Sequence, residues 1–354
     1  MKAFLLRRYL RLIIIIERIQ RWFQLFDSRV DLRRSRRKIA SKKGGSVVSR
    51  RLKRKIKAYA KRRFGSTAYW PGVALATEMR GEYKDGWIPF DYFYFELEPK
   101  LNPPGYANIG DIRTLDYKRF GDFAIKPLFL YIPQNFYSAD FEPLGVPELK
   151  SILAEYDDML VVKQEFGWGG KQVQVMHSSE FKPEQLHRTT NYIIQPFLKQ
   201  YKTLHELYPD SVNTFRVYTF RKKDGSVEVL LCYLRFGLDG TRVDNLSAGG
   251  QCLLFDSAGR PEEMSIDAFG LKADRVHKNT GFVFADLKIP MYKDIINSCT
   301  SIHLKYPHIR LIGWDIAVDE SGAPKLIEWN TQRPSFDWED ALWGPFFPDD
   351  SEFD

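Results

Sequence analysis

The stretch Gly313–Asn330, GWDIAVDESGAPKLIEWN, constrains this chain more than any other. Ile316 and Val318 alternate ahead of the turn-forming set Asp319-Glu320-Ser321-Gly322, and Leu326–Trp329 is a second β-prone run, so the spacing predicts a β-hairpin. Residues two apart on a strand share a face, which points Glu328 and Asn330 the same way and lets the facing strand bring Asp315 beside them. Two carboxylates and an amide are hard oxygen donors, a set that suits Mg2+ when water and phosphate fill its other positions. The same three residues would equally make a solvated polar face. The rest of the chain has to decide between the two.

Charge is unevenly distributed. Residues 1–66 hold 23 Lys and Arg against three acids, a balance of +20, whereas the remainder carries −12 within an overall net charge of +8. The basicity therefore belongs to the amino-terminal segment. Residues 1–27 place Leu6, Tyr9, Leu10, Ile13, Ile16, Trp22, Phe23 and Phe26 at helical spacing among five arginines. The uncharged run Leu12–Ile16 is too short to span a bilayer, and no small-residue cleavage site follows it. An Arg-rich amphipathic helix with Trp and Phe has the composition of a segment lying in an anionic membrane interface. A solvated helix or linker and a nucleic-acid-binding arm stay open, although Tyr59 is almost the only aromatic in residues 29–63, which disfavours a base-stacking surface. Cys232, Cys252 and Cys299 are odd in number and far apart, with no metal-ligand spacing, which suits a reducing cytoplasm.

From Thr67 the chain turns aromatic and mixed in charge. With 44% hydrophobic and 15% aromatic residues over 354 positions, it is long enough for a substantial core and more than one domain. Trp70-Pro71, Trp87–Phe95 and Leu101–Gly105 read as short strands and turns of a small leading domain. Helical pieces are expected around Tyr117–Phe123, carrying Lys118, and around Val146–Tyr156. The run Met159–Met176 is an apolar strand ending in Lys163, then Gly167-Trp168-Gly169-Gly170, then an alternating strand. Glycines let backbone N–H groups approach phosphate oxygens and a lysine supplies point charge, so this is either a phosphate clamp or a plain glycine-containing hairpin. It lacks the spacing and following helix of a P-loop.

Tyr192–Leu198 is a strand interrupted by Pro196, a junction whose main chain could read an adenine edge. On Ser211–Phe220, Thr214, Arg216 and Tyr218 share the face opposite Asn213, Phe215, Val217 and Thr219. A charge in that strand requires an anion, which a phosphoryl group, a carboxylate or a structural acid would supply. Leu230–Phe236 is a further strand, Val243–Gly250 a polar loop, and Ile289-Pro290 opens a helix.

Taken in order, Lys118, Lys163, the strand junction, Arg216 and the set Asp315, Glu328, Asn330 resemble the ATP-grasp superfamily. The sugar-transfer-associated branch is the nearest resemblance, carried by Ser211–Arg216, Val243–Gly250 and Ile312–Ala317 over about residues 100–335. The resemblance implies an α+β ATP-grasp fold, two α+β subdomains clamping ATP, preceded by a small mixed domain and a basic amphipathic helical segment. The corresponding divisions are 1–66, 67–150, 151–340 and a tail at 341–354.

The resemblance further implies that Lys118 and Lys163 sit on phosphates under the Gly167, Gly169 and Gly170 loop. Adenine would lie against Gln195, Pro196, Phe197 and Leu198, and Mg2+ on Asp315, Glu328 and Asn330. Two positions depart from the usual pattern: Gln195 stands where many relatives have Glu, and Lys202 with Glu206 stands where an acid often holds the ribose. Relatives mostly phosphorylate a carboxylate and let an amine displace the phosphate; on that scheme Arg216 would stabilise the intermediate, and Asp244, Asn245 and His277 would orient the acceptor. The expected activity is an ATP-dependent carboxylate–amine ligase joining an amino acid to a sugar or surface-polysaccharide precursor at the inner face of the membrane. A kinase acting on a sugar-type hydroxyl is the alternative.

Overall fold

A computed structural model describes residues 2–167, 172–246, 249–347 and 349–353, with side chains at 20 and from 23 onward except that of 337. The helices are α1 Lys2–Lys42, α2 Arg50–Phe64, α3 Trp70–Arg80, α4 Phe90–Tyr92, α5 Glu98–Leu101, α6 Pro104–Ala107, α7 Asp116–Phe120, α8 Val146–Glu155, α9 Lys202–Leu207, α10 Tyr292–His303 and α11 Phe336–Trp343. The strands are β1 Phe129–Ile132, β2 Asn135–Tyr137, β3 Pro143–Leu144, β4 Met159–Gln164, β5 Val173–His177, β6 Tyr192–Pro196, β7 Thr214–Arg221, β8 Val227–Phe236, β9 Gln251–Leu254, β10 Leu311–Val318 and β11 Pro324–Asn330. Two units result, one formed by residues 1–101 with 335–354, the other by 102–334.

The first unit is helical. Ser49 caps α2 by accepting from the Leu52 amide, and Gly65 ends it in the left-handed region that favours glycine. Ile56, Tyr59, Ala60 and Phe64 form the buried face of α2, while Arg50, Arg51, Lys53, Arg54 and Lys57 lie on its exposed side. From residue 29 onward α1 is tied down by ion pairs to buried acids, Arg29 to Asp91 at 3.0 Å and Arg36 to Glu78 at 3.0 Å. Phe23 and Phe26, one turn earlier, are more than half exposed. The carboxyl-terminal piece completes this unit: Arg63 binds the Phe347 carbonyl and Asp350, and Asp340 accepts from the Ile88 and Phe346 amides.

The strands expected in residues 87–95 are helices instead. Phe93, Leu97 and Leu101 are buried at four-residue spacing through α4, a π-helical stretch Phe93–Leu97, and α5. The aromatic residues favour strands, but burying one face at helical period outweighs that preference. Trp70, likewise expected in a strand or turn, opens α3, with Pro71 in its first turn where a missing N–H costs nothing.

The second unit contains two antiparallel sheets. One runs β3-β2-β1-β6-β4-β5 and packs Phe129, Leu160, Val162 and Ile194 with Leu149 of α8. The other runs β11-β10-β7-β8-β9, with Phe215, Val217, Leu234, Trp314 and Trp329 in a core shared with α9 and α10. Helices and two antiparallel sheets give the α+β class expected from the sequence, and the hairpin read from the sequence is β10–β11. Its register pairs Gly313 with Asn330, Trp314 with Trp329 and Asp315 with Glu328, after which a bulge shifts the pairing. Trp314 and Trp329 stack at 5.9 Å and are buried, and the Trp314 indole N–H donates to Thr219 at 2.8 Å. No described helix is long and apolar enough to cross a membrane.

Candidate active site

Four strands carry one row of polar residues. Glu328 on β11 faces Asp315 on β10, Asp315 faces Arg216 on β7, and Arg216 faces Tyr233 on β8. Because side chains alternate, Phe215 and Val217 turn into the core and Arg216 turns to the opposite face. Arg216 binds Asp315 through two parallel bonds, Nε to Oδ1 at 2.5 Å and Nη2 to Oδ2 at 3.0 Å, the fork geometry that suits a carboxylate. Arg235 adds a third contact to Asp315 at 3.2 Å and lies 3.5 Å from Asp244, which also accepts from the Thr214 amide at 3.2 Å. Burial alone would raise the Asp315 pKa, but Arg216 and Arg235 outweigh it and hold the carboxyl below its ordinary value. Burial likewise pulls Arg216 down, and Asp315 more than compensates, so the guanidinium stays charged.

The bulge between Asp315 and Ile316 has a local consequence. Ile316 pairs with Leu326, so Ile327 is the extra residue of β11 and its carbonyl is left for another donor. Lys163, at the end of β4, donates to that carbonyl at 3.0 Å. Burial, and then Arg113 beside it, lower the Lys163 pKa, while Glu328, Asp116 and Asp315 oppose the shift. Lys163 lines a cleft with Arg113, Thr114, Asp116, Gln195 and Leu326. Arg113 donates from Nη2 to Glu328 and, at 3.1 Å, to the Gly167 carbonyl. Asp116 accepts from the Trp329 indole at 3.2 Å, and burial pushes its pKa up to about 7 despite Lys163 and Arg119 nearby.

The structure gathers some of the expected residues and separates others. Asp315, Glu328, Asn330 and Arg216 lie on adjoining strands of one sheet, and Lys163 and Gln195 on adjoining strands of the other; the Asn330 amide donates to the Gly313 carbonyl at 3.1 Å. Gly167 is described at the loop's start, whereas Gly169 and Gly170 fall outside the described residues. Pro196 pairs with Leu160; the Phe197 amide is held by the Met159 carbonyl at 3.0 Å, and Leu198 follows half-buried. Lys118 is 43% exposed and paired with Asp140, apart from the cleft-lining residues. Two positions after Asp116 on the short helix α7, it falls on the opposite side of the helix and turns outward. His277 is fully buried against Tyr208 and Phe236, with Nε2 on the Gly237 carbonyl at 3.0 Å and Nδ1 near the Thr280 amide. Both ring nitrogens thus serve the backbone and leave none for an acceptor in this arrangement. The Asn245 carbonyl accepts from the Gly250 amide, closing the polar loop over its described part. Lys202 and Glu206 form an exposed pair on α9.

Arg113 and Asp116 escaped the sequence reading, and Arg235 was placed on its strand without a role at the site. Arg113 and Asp116 stand in short helical pieces too brief to show a periodicity. Arg235 was visible as a second charged residue inside an apolar strand, and such a residue needs a buried anion as Arg216 does.

The donor chemistry fits a hard divalent cation. Glu328 and Asn330 share a face, Glu328 is 32% exposed, and Asp315 is directly opposite, so two carboxylates and an amide converge beside cationic groups suited to phosphate. Among the described residues no cluster of three or more His, Cys, Asp or Glu is present.

The model of the sugar-transfer associated ATP-grasp family matches residues 97–340, and the chain belongs to that family. Among solved structures, the chain is similar to an ADP complex of N5-carboxyaminoimidazole ribonucleotide synthetase at 12% identity and TM-score 0.36, covering 66% of this chain and 45% of that one. It is also similar to a D-cycloserine synthetase at 17% identity and TM-score 0.39, covering 70% and 71% of the two chains. A third likeness is to D-alanyl-alanine synthetase A from Vibrio cholerae O1 biovar eltor, at 13% identity and TM-score 0.36, covering 65% and 57%. The chain thus spans about half the length of the first of these. No curated protein matches it.

Proposed function

We propose that the chain is an ATP-dependent carboxylate–amine ligase that joins an amino acid to a sugar or surface-polysaccharide precursor through an acyl phosphate. The observation that carries this reading is the row Glu328–Asp315–Arg216, flanked by Asn330, Lys163 and Arg235. Phosphoryl transfer needs positioning and charge neutralisation more than covalent help, and this row provides both.

In the proposed reaction, a carboxylate oxygen of one substrate attacks the γ-phosphorus; the new O–P bond forms as the β–γ bridge breaks and ADP leaves. An amine then attacks the acyl carbon, phosphate departs with the bonding pair, and the amine gives up a proton to solvent. Lys163 binds the phosphates as a point charge, and Gln195 borders the nucleotide. Arg216, held by Asp315 and Tyr218, is the donor for the oxygens that gain charge at the acyl centre. Asp315, Glu328 and Asn330 would hold Mg2+, which supplies charge neutralisation on the phosphates. Asn245 and Asp244 are the proposed acceptor-side contacts. The basic segment 1–66 is proposed to rest on an anionic membrane surface at its cytoplasmic face, supported by its +20 balance and by exposed Phe23 and Phe26.

The test is phosphate release from ATP and Mg2+ with pooled amino acids and nucleotide-sugar acceptors, run beside Glu328→Ala, with products weighed by mass spectrometry. A condensation product with acceptor-dependent free phosphate, both lost in the variant, is expected. A phosphorylated acceptor without free phosphate would establish a kinase instead.

A further inference from the structure

One guanidinium in the cleft reaches two features that serve different parts of the reaction. Arg113 donates both to Glu328, on the cation-binding strand, and to the Gly167 carbonyl, at the start of the glycine-rich loop. Its side chain is only 9% exposed, yet its Nε has no partner. A buried N–H left open is costly, and a fork of donors used mainly from one nitrogen has capacity for a second anion. Lys163 lies close enough to Arg113 for the two cations to repel, and they line the same cleft. Two buried neighbouring cations, set beside the partly exposed Glu328 and an Asp116 whose carboxyl burial pushes up to about 7, form a receptor for a polyanion. Of the other basic residues of this segment, Lys118 is occupied by Asp140 on the surface, and Arg119 by the Ile109 and Ile112 carbonyls.

We propose that Arg113 is a triphosphate-binding residue shared with Glu328: without nucleotide it neutralises Glu328, and when nucleotide binds its guanidinium passes to the phosphates and releases Glu328 to the cation. The proposal rests on the ATP-using reading above. Asp315 is held in the same manner by Arg216 and Arg235, so a free cation meets carboxylates already neutralised and enters together with the nucleotide rather than ahead of it. An arginine suits the exchange better than a lysine, because its planar fork pairs equally well with a carboxylate and a phosphate.

The experiment is calorimetric titration of Mg2+-ADP into the wild type, Arg113→Ala, Arg113→Gln and Lys118→Ala, with a parallel Mn2+ titration without nucleotide followed by electron paramagnetic resonance. Circular dichroism melting establishes which variants are folded; two Arg113 variants are used so that one misfolded protein does not decide the matter. Expected is an ADP affinity at least about tenfold weaker in the Arg113 variants, together with Mn2+ binding several-fold tighter in the absence of nucleotide. Unchanged ADP affinity in a folded Arg113 variant overturns the proposal, as does weakened ADP binding without tighter Mn2+ binding. A loss confined to Lys118→Ala also overturns it. A wild type that binds no Mg2+-ADP refutes the ATP-using reading itself, a result distinct from all of these.

Discussion

At the scale of single residues, the expected cation-binding carboxylates differ in what surrounds them. Asp315 is 5% exposed and neutralises two buried guanidiniums, whereas Glu328 is 32% exposed. Removing one partner from a buried ion cluster leaves uncompensated charge, so Asp315→Ala is expected to cost about 3–5 kcal/mol of stability in a urea titration. Glu328→Ala should cost less than Asp315→Ala, because this carboxylate is partly solvated and answers to one guanidinium rather than two, and it is the cleaner probe of the reaction. Asp116 gives a pH-dependent prediction. Its carboxyl, ordinarily at 3.8, is pushed to about 7 by burial, so the folded state holds the proton more tightly than the unfolded chain. Stability from this group is therefore full below about pH 4 and declines as pH rises toward 7, by up to about 1.4 kcal/mol for each pH unit crossed. Asp116→Asn should melt higher than the wild type at pH 8, with the difference vanishing near pH 4. Melting curves that stay parallel across this range would refute it. None of this could be read from the sequence, where Asp116 is one acid among many and only burial beside Trp329 and Lys163 singles it out.

At the scale of elements, the β10–β11 hairpin was legible because period-two alternation and a turn signal agreed, and the pairing of Asp315 with Glu328 follows from that register. The β4–β5 hairpin was legible from its glycine-rich turn, and β7 and β8 were legible as strands but not as a pair. The bulge at Ile327 was not, since no residue type announces it, although it supplies the carbonyl that holds Lys163. Nor was the role of Asn102 evident. This residue is 1% exposed; its amide donates to the Leu311 and Thr331 carbonyls at 2.6 and 2.7 Å, and its oxygen accepts from the Arg310 and Leu311 amides at 3.0 Å each. One side chain thereby fixes where β10 begins and where the chain leaves β11. Asn102→Ala would leave buried backbone groups unpaired and should cost about 3 kcal/mol, measured by denaturant unfolding. A loss under about 1 kcal/mol would show that water or a local shift replaces these bonds.

At the scale of the whole molecule, composition separated the basic amino-terminal segment from the acidic remainder, and the structure shows which part of that segment is packed. Arg29, Leu32, Arg36 and Ile39 tie α1 into the helical unit. Deleting residues 1–26 therefore spares the buried Asp91 and Glu78 partners while removing the most apolar turns. The shortened protein is expected to leave anionic liposomes in a sedimentation assay and to keep its ATP turnover in solution; undiminished liposome binding would refute the membrane reading. The division into units at 101/102 and 334/335 was not legible, because sequence shows composition and period but not which distant segments pack together. That division bears on how the protein is made. The helical unit needs Asp340, Phe347 and Asp350 to seat Ile88 and Arg63, so translation must proceed through all of residues 102–334 before this unit can close. Residues 29–101 therefore wait for a partner more than two hundred positions further along the chain, and until it is made their apolar face stays open.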